Sequence, residues 1–206
     1  MQSRLGLSAD EEAGWRTIAR DMYTGFDATT GLIEQFQGYF ALEDIDEIMV
    51  DTYGASLMMM GNEPSRWAPA TRETADHSMP YVVASALMDG AVTDASFSDA
   101  RLADRALNAL MAKVKVRRDE RLNAAYPEGA PGRVTVRTRS GTTHAKEVIY
   151  PLGHYKNPLN DKQVADKFHE MTAARLPEAS RKASLDMLGQ LERIADVATV
   201  IQKLSV

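Results

Sequence analysis

The chain has 206 residues, 44% hydrophobic and 26% charged, which is enough to build the core of one or two domains. No run approaches the ~18 apolar residues of a membrane span, and a net charge of −5 without a polybasic tract argues against nucleic acid as a partner. The absence of cysteine excludes disulfides, thiolate nucleophiles and cysteine-ligated metals, and the lack of a signal-peptide pattern favours a cytoplasmic location.

The first part of the chain differs from the rest in charge. Residues 1–44 hold eight acidic and three basic side chains, whereas the two signs balance in residues 45–206. Ser8 and Glu11 have capping-box spacing and predict a helix over residues 8–22, and an aromatic, glycine-spaced, irregular segment comes after it. We therefore expect residues 1–44 to be separable from residues 45–206.

Four stretches after Asp44 have the character of strands. Apolar residues alternate with polar ones or cluster at 45–50, 113–117, 133–139 and 143–150. A Ser-Gly turn signal predicts that the last two form a hairpin. Basic side chains fall on one side of these strands, and a solvated outer face explains them more simply than an anion-binding surface; they are Lys113, Lys115, Arg117, Arg133, Arg137 and Arg139.

Helical periodicity appears between and after these strands, so the fold class is α+β. Helices are predicted at residues 55–60, at 79–88, from Ser98 onward, at 160–175 and from about Ser180 to Leu204. Asp76 or Ser78 is a candidate cap for the second helix, Gly90 is its stop signal, and Asn160 with Gln163 has capping-box spacing. The last helix has a long apolar stripe and no partner of equal size, which predicts a homo-oligomer.

The residues richest in chemistry lie just before the helix at 79–88. His77 and Tyr81 are four residues apart, so a continuous helix would place them on one face. Histidine can act as a general base near neutral pH and tyrosine as a proton donor, while Arg72, with Arg66 nearby, could bind a carboxylate bidentately. From spacing alone, a packing role for the His–Tyr pair is the more usual arrangement.

A second polar cluster lies at residues 150–159. Its Gly-His turn, followed by Asn-Pro, could bind a carboxylate through backbone N–H groups, through His154 and through Lys156, although such turns more often fix the chain direction. His144 and His169 are isolated and lack metal-ligand spacing. With no phosphate-binding or redox motif either, the sequence predicts neither a metal nor a cofactor.

Both clusters resemble signatures of the MmgE/PrpD family, which includes 2-methylcitrate dehydratases and cis-aconitate decarboxylases. The first reads WAPATRETADHSMPY at residues 67–81, and Tyr81 falls where the decarboxylase branch has a tyrosine implicated in its active site, with His77 on the neighbouring signature histidine. The second resembles the family's GHPxNP turn, from which Tyr155 and Lys156 depart.

The resemblance implies an architecture and a reaction. It implies that residues 45–159 form an α+β lid with a short antiparallel-type sheet and that residues 160–206 are helices of an incomplete all-helical domain. It implies loss of water from a small hydroxy-tricarboxylate, with Tyr81 and His77 in proton transfer, Arg72, His154 and Lys156 binding substrate, and little activity from this chain alone.

Two other hypotheses stay open. Residues 1–44 resemble a segment of the glycoside hydrolase family that contains trehalose, maltose and kojibiose phosphorylases, which would make the chain a fusion carrying a carbohydrate-active remnant. Alternatively, the α+β unit is a non-catalytic association module. Binding of methylcitrate and cis-aconitate rather than maltose would favour the lyase.

Overall fold

The computed structural model describes Ile33, Phe36 and residues 38–204. The chain divides into two compact units, Met1–Asn157 and Pro158–Val206. The division lies two residues before the sequence-predicted boundary at 159, and the proposed three-part organisation stays a prediction. The predicted helix at 8–22 lies outside the described residues. In the part of the chain that is described, no helix is both long and apolar enough to cross a membrane.

The first unit is built on a four-stranded sheet. The strands are β1 Ile45–Thr52, β2 Val114–Arg118, β3 Gly132–Thr138 and β4 Thr143–Val148, in the order β2-β1-β3-β4. The predicted strands, the β3–β4 hairpin and the α+β class are confirmed. The expectation of an antiparallel-type sheet needs correction, because β1 and β2 pair in parallel. A long helical crossover joins these two strands, and parallel pairing requires such a connection.

Seven helices accompany this sheet in the described part of the first unit. They are α1 Gly54–Met60, α2 Pro64–Trp67, α3 Arg72–Asp76, α4 Met79–Asp89, α5 Asp99–Leu102, α6 Arg105–Met111 and α7 Glu120–Asn123. Helix α4 is the central one, since nearly all of its residues are buried. Ser78 caps its N-terminus, and Gly90 ends it in the left-handed conformation at φ 77°, as predicted.

The core lies between one face of the sheet and the crossover helices. The inward residues of the central strands, such as Ile48 and Val134, pack in one cluster with apolar residues of α4 and α6. Ile33 and Phe36 are buried in the same cluster. Burying each large apolar side chain stabilises the fold by about 1.5–3 kcal/mol. Ile33 and Phe36 are therefore part of this core, although they precede the first strand.

The second unit consists of helices with little buried surface of their own. They are α8 Asp161–Thr172, α9 Glu178–Leu188 and α10 Ala198–Leu204. The Asn160–Gln163 capping box forms as predicted. Several large apolar side chains are exposed to solvent here: Val164, Met171, Leu188, Leu191, Val197 and Ile201.

The sequence-based prediction of a single long final helix is wrong. Helix α9 ends at Leu188, a 3₁₀ turn is present at Leu191–Arg193, and Asp196 accepts a hydrogen bond from Ala198 N at 2.9 Å where α10 begins. Gly189 weakens the helix at the break, and an aspartate that caps a new helix competes with continuing the old one. The apolar stripe is therefore not one continuous face, and the homo-oligomer stays a prediction.

Candidate functional site

His77 and Tyr81 belong to two different helices. Thr71 and Thr74 form a capping box that starts α3, and His77 is the residue at which that helix ends. Ser78 is extended at φ −104°, ψ 106°, and its hydroxyl accepts a hydrogen bond from Tyr81 N at 3.2 Å to start α4. The expectation that the two side chains share one helical face is therefore wrong, because the N-cap serine interrupts the helix between them.

His77 is paired with a carboxylate. Its Nδ1 lies 2.5 Å from Asp76 Oδ1 and 3.2 Å from the Glu73 carbonyl oxygen, so this nitrogen carries the proton and donates it. The other nitrogen, Nε2, is then the basic one. The imidazole is 32% exposed, which allows contact with a small molecule. A partly exposed imidazole held in one tautomer by a carboxylate is suited to accepting a proton.

The same short helix offers a group of potential metal ligands. One ligand atom each from Glu73, Asp76 and His77 lies within 4.8 Å of the other two. Glu73 is exposed and reaches His77 only at 4.0 Å. Surface acids are common without an ion, so these distances assign no metal here, and the sequence-based expectation of a metal-free protein stays a prediction.

Tyr81 is fully buried, with 0% of its surface exposed. Its hydroxyl donates a hydrogen bond to the Ser96 carbonyl at 2.6 Å, and its ring stacks on Phe97 with 6.1 Å between centroids. Burial raises the pKa of the phenol. In this arrangement the tyrosine fixes the 3₁₀ turn Asp94–Phe97 and has no access to solvent.

Arg72 lies on the other side of that turn. Its Nη2 donates to Asp94 Oδ1 at 2.7 Å, and its guanidinium stands 5.9 Å from the centre of the Phe97 ring. The hydrogen bond with Asp94 raises the pKa of the Arg72 guanidinium. The guanidinium is more than half exposed, so its remaining N–H groups can reach a carboxylate. Arg66 is close to this region, since Ser78 Oγ donates to its carbonyl oxygen.

Arg66 contributes an unsatisfied donor. Its Nε is buried and has no hydrogen-bond partner among the residues that are described. A buried N–H without an acceptor costs about 1–3 kcal/mol, so this donor is a local cost to stability. The structure thus brings Arg66, Arg72, His77 and Tyr81 into one region around residues 66–97.

His154 and Lys156 lie in a different cluster. His154 is 3% exposed, and its Nδ1 accepts a hydrogen bond from Lys156 N at 3.1 Å, which places the ring proton on Nε2. The Lys156 ammonium is 2.6 Å from Glu128 Oε1 and 3.2 Å from Tyr150 Oη, and Tyr155 also donates to Glu128. The hydrogen bond with Glu128 raises the pKa of Lys156, and the hydrogen bond from Lys156 lowers the pKa of Glu128.

These contacts are typical of a turn that fixes chain direction. Gly153 adopts φ 96° and donates to the Asn157 carbonyl at 2.8 Å, which closes the turn. Lys156 is already paired with a carboxylate, so a substrate would have to compete with Glu128.

The acidic partners in both clusters were not predicted from the sequence. Asp76 could have been found, since a carboxylate directly before a histidine can orient the ring. Asp94 and Glu128 gave no local signal, because they lie 22 and 28 residues from Arg72 and Lys156. Their pairing depends on the tertiary fold.

Comparison with known proteins decides which family carries these features. The model of the MmgE/PrpD C-terminal domain matches residues 20–193, which is most of the chain. The chain belongs to the MmgE/PrpD family. The family predicted from the sequence is thereby confirmed.

The relatives of this family member include two kinds of enzyme. The 2-methylcitrate dehydratase of Salmonella typhimurium is 28% identical over 171 residues, covering 80% of this chain and 35% of the relative. That of Cupriavidus necator is 30% identical over 152 residues, covering 69% and 30%. The cis-aconitate decarboxylase of Mus musculus is 22% identical over 142 residues, covering 66% and 28%. The chain spans about a third of the length of the curated relatives it matches.

The comparisons give no support to the resemblance with glycoside phosphorylases. The family match begins at residue 20 and runs through most of the segment that suggested it. The burial of Ile33 and Phe36 in the same core as the sheet agrees with one continuous family domain over that stretch.

Proposed function

We propose that this chain is the lid and C-terminal part of a 2-methylcitrate dehydratase-like lyase. The reaction would remove a proton from carbon and a hydroxide from a small hydroxy-tricarboxylate, within propionate metabolism in the cytoplasm. The observation that carries the proposal is the His77–Asp76 pair. It places an oriented base at the C-terminal end of the short helix α3, which begins at the exposed Arg72.

The chemistry depends on the tautomer of His77. Because Nδ1–H is donated to Asp76, Nε2 is the atom that takes the proton from the substrate carbon. The imidazolium that forms is stabilised by the neighbouring carboxylate. Arg72 would bind one substrate carboxylate through its exposed N–H groups.

Tyr81 supports this site from inside the core. Its hydroxyl and ring hold the turn that carries Asp94 and Phe97, and these two residues contact Arg72. A catalytic role for Tyr81 stays a prediction and would require the turn to move away from the phenol. Substrate binding by His154 and Lys156 also stays a prediction, and it would require Lys156 to leave Glu128.

We expect the isolated chain to bind the substrate weakly and to turn it over slowly. Stabilising the transition state of an elimination needs several preorganised groups, and the matched part of this chain covers only 35% of the Salmonella typhimurium dehydratase. The experiment is calorimetric titration with 2-methylcitrate, cis-aconitate and maltose, accompanied by an NMR assay for the unsaturated product. Binding of the first two without maltose is the expected result.

Matched variants locate the binding site. Arg72→Ala and His77→Ala should each weaken binding of 2-methylcitrate at least about tenfold, the equivalent of ~1.4 kcal/mol. Arg105→Ala, which removes an exposed arginine from α6, is the control and should leave binding unchanged. If 2-methylcitrate binds Arg72→Ala and His77→Ala as tightly as the unmodified chain, the proposed site is contradicted. If the unmodified chain binds neither 2-methylcitrate nor cis-aconitate, the non-catalytic association module is favoured.

A further inference from the structure

The outer face of the sheet carries its charges in stripes that run along the strands. This face is the one directed away from the core. Its outward charged residues are Lys115 and Arg117 on β2, Glu47 and Asp51 on β1, Arg133 and Arg137 on β3, and Glu147 on β4. The sheet is therefore basic, acidic, basic and acidic from one edge to the other. Only the basic side chains were recognised from the sequence, and the acidic stripes between them were missed.

One cross-strand row shows the pattern most clearly. Arg117, Asp51, Arg133 and Glu147 are paired in register across all four strands, and we call them the charged row. Arg117 Nε donates to Asp51, Arg133 Nη2 lies 2.9 Å from Asp51, and Arg133 Nη1 lies 3.8 Å from Glu147. Asp51 is only 1% exposed because the two arginines cover it.

A second pair of residues, further along the strands, again has the acidic side chain on β1 and the basic side chain on β3. Glu47 on β1 is opposite Arg137 on β3, with 3.8 Å between Arg137 Nη2 and Glu47 Oε2. Between this pair and the charged row lie Met49, Thr135 and Ala145 in register, and they line a shallow cavity of about 370 Å³. On this face β1 is thus acidic and β3 basic at both ends, with the uncharged Met49 and Thr135 between, and Lys115 on β2 is the one charged member of this middle row.

This arrangement is its own complement. A second copy turned by 180° about an axis along the strands, between β1 and β3, lays β1 over the partner's β3 and β2 over the partner's β4. Arg117 then faces a copy of Glu147 and Glu47 faces a copy of Arg137, while Asp51 stays covered by its own two arginines beneath a copy of Arg133. A two-fold interface requires this self-complementarity, and aligned face-to-face packing of sheets keeps the strand directions within about 30°.

We propose that the outer sheet face binds a second copy of this chain through its charged stripes. The charges already paired within one chain can also pair across the interface, since a guanidinium has five N–H donors and a carboxylate about four acceptor sites. Met49 packs against Thr135 of the other copy in the centre. The proposal does not depend on the dehydratase activity.

The size of the face sets the expected strength. Four strands spaced ~4.8 Å apart and about six residues long at ~3.3 Å give roughly 400 Å² per copy. Contacts of that size are weak and transient. Because most of the attraction is between partly exposed charges, dissociation should increase several-fold when salt is raised from about 0.05 M to about 0.5 M.

A charge exchange between copies tests the interface. Glu47→Arg alone and Arg137→Glu alone put like charges at both contacts of their own dimer, so each variant should be monomeric in sedimentation equilibrium. An equimolar mixture restores opposite charges at both contacts and should form dimers again. Arg105→Glu on α6 is the control and should dimerise as the unmodified chain does. A mixture that stays monomeric, or an unmodified chain that stays monomeric at about 1 mM, overturns the proposal.

Cysteine cross-linking tests the same interface without changing a charged residue. It therefore remains informative if the charge variants are less stable than the unmodified chain. The chain has no cysteine, so there is no background. Under oxidation, a mixture of Met49→Cys and Thr135→Cys chains should form the mixed disulfide several-fold faster than Met49→Cys with Ala145→Cys, because Ala145 faces Lys115 of the other copy. Equal rates for the two mixtures, with both variants folded by circular dichroism, overturn the proposed axis.

Discussion

Tyr81 shows how much one side chain contributes on the inside of this fold. The residue lies in the first turn of α4, is completely buried, and donates its hydroxyl proton to a backbone carbonyl 15 residues away. The stacked Phe97 ring then carries the contact outward to Arg72. A tyrosine in this position links the buried helix to the surface that carries Arg72.

Replacing Tyr81 with phenylalanine should destabilise the protein by about 1–2 kcal/mol. The change removes only the hydroxyl and leaves the buried Ser96 carbonyl without its donor. Urea unfolding measures the loss, and Tyr39→Phe, at a residue that is 55% exposed, is the control with almost no expected effect. A Tyr81→Phe protein as stable as the parent would contradict the hydrogen bond to Ser96.

Helix ends decide where the short helices of the crossover begin and stop. Ser78 starts α4, Asp104 starts α6 and Asp119 starts α7, each by accepting hydrogen bonds from backbone N–H groups of the first turn. Seven helices in about 70 residues need such caps, because helices this short are not stable in isolation. These caps therefore determine where the helices around the candidate site begin.

The cap at Asp104 should make stability depend on pH. Hydrogen bonds from Leu107 N and Ala106 N, with Arg101 nearby, lower the pKa of Asp104 in the folded state. The unfolded state, with a pKa of about 3.9, then binds the proton first as the pH falls. The stabilisation is present in full above about pH 5 and is lost progressively below about pH 4.

The variant Asp104→Asn distinguishes the effect of the carboxylate charge from the effect of capping the helix. Asparagine still caps a helix, but its contribution does not titrate. The difference in free energy of unfolding between the parent and Asp104→Asn should therefore be constant above about pH 5 and shrink as the pH falls toward about pH 3. Urea unfolding across this range measures it, with Asp99→Asn as the control for loss of one exposed charge. A difference that grows in acid would contradict the lowered pKa.

At the scale of the whole molecule, the core of the first unit reaches back beyond its first strand. Ile33 and Phe36 are buried with the sheet and α4, and the backbone N–H of Phe36 donates to the Ile33 carbonyl at 2.9 Å. The family match also extends to residue 20. The separability of residues 1–44, expected from their net charge, stays a prediction, and these contacts are the reason to test it at one residue.

Phe36→Ala should lower the free energy of unfolding by about 3–5 kcal/mol, because it empties a buried aromatic site. At ~2–4 °C per kcal/mol for a chain of this size, the melting temperature should fall by about 10 °C. Tyr39→Ala, three residues away and half exposed, is the matched control. A shift below about 2 °C would show that the segment is energetically separate from the sheet.

Much of the local structure could be predicted from the sequence alone. Alternating residues identified the strands, and the hairpin, the Gly90 stop and the Asn160–Gln163 capping box were all predicted correctly. These features depend on interactions between residues that are close along the chain, so the pattern of side chains is sufficient to specify them. The two signature clusters were also sufficient to identify the family.

Tertiary structure decided the features that depend on residues far apart in sequence. The parallel pairing of β1 with β2, the burial of Tyr81, the pairing of Lys156 with Glu128 and the charged row across four strands each join segments that the chain separates by 14 to 82 residues. Spacing along one helix could not place His77 and Tyr81, because Ser78 bonds to Arg66, 12 residues earlier, and the chain turns there. Local patterns determine elements, whereas which charges meet is determined by the strand register and by the packing of helices on the sheet.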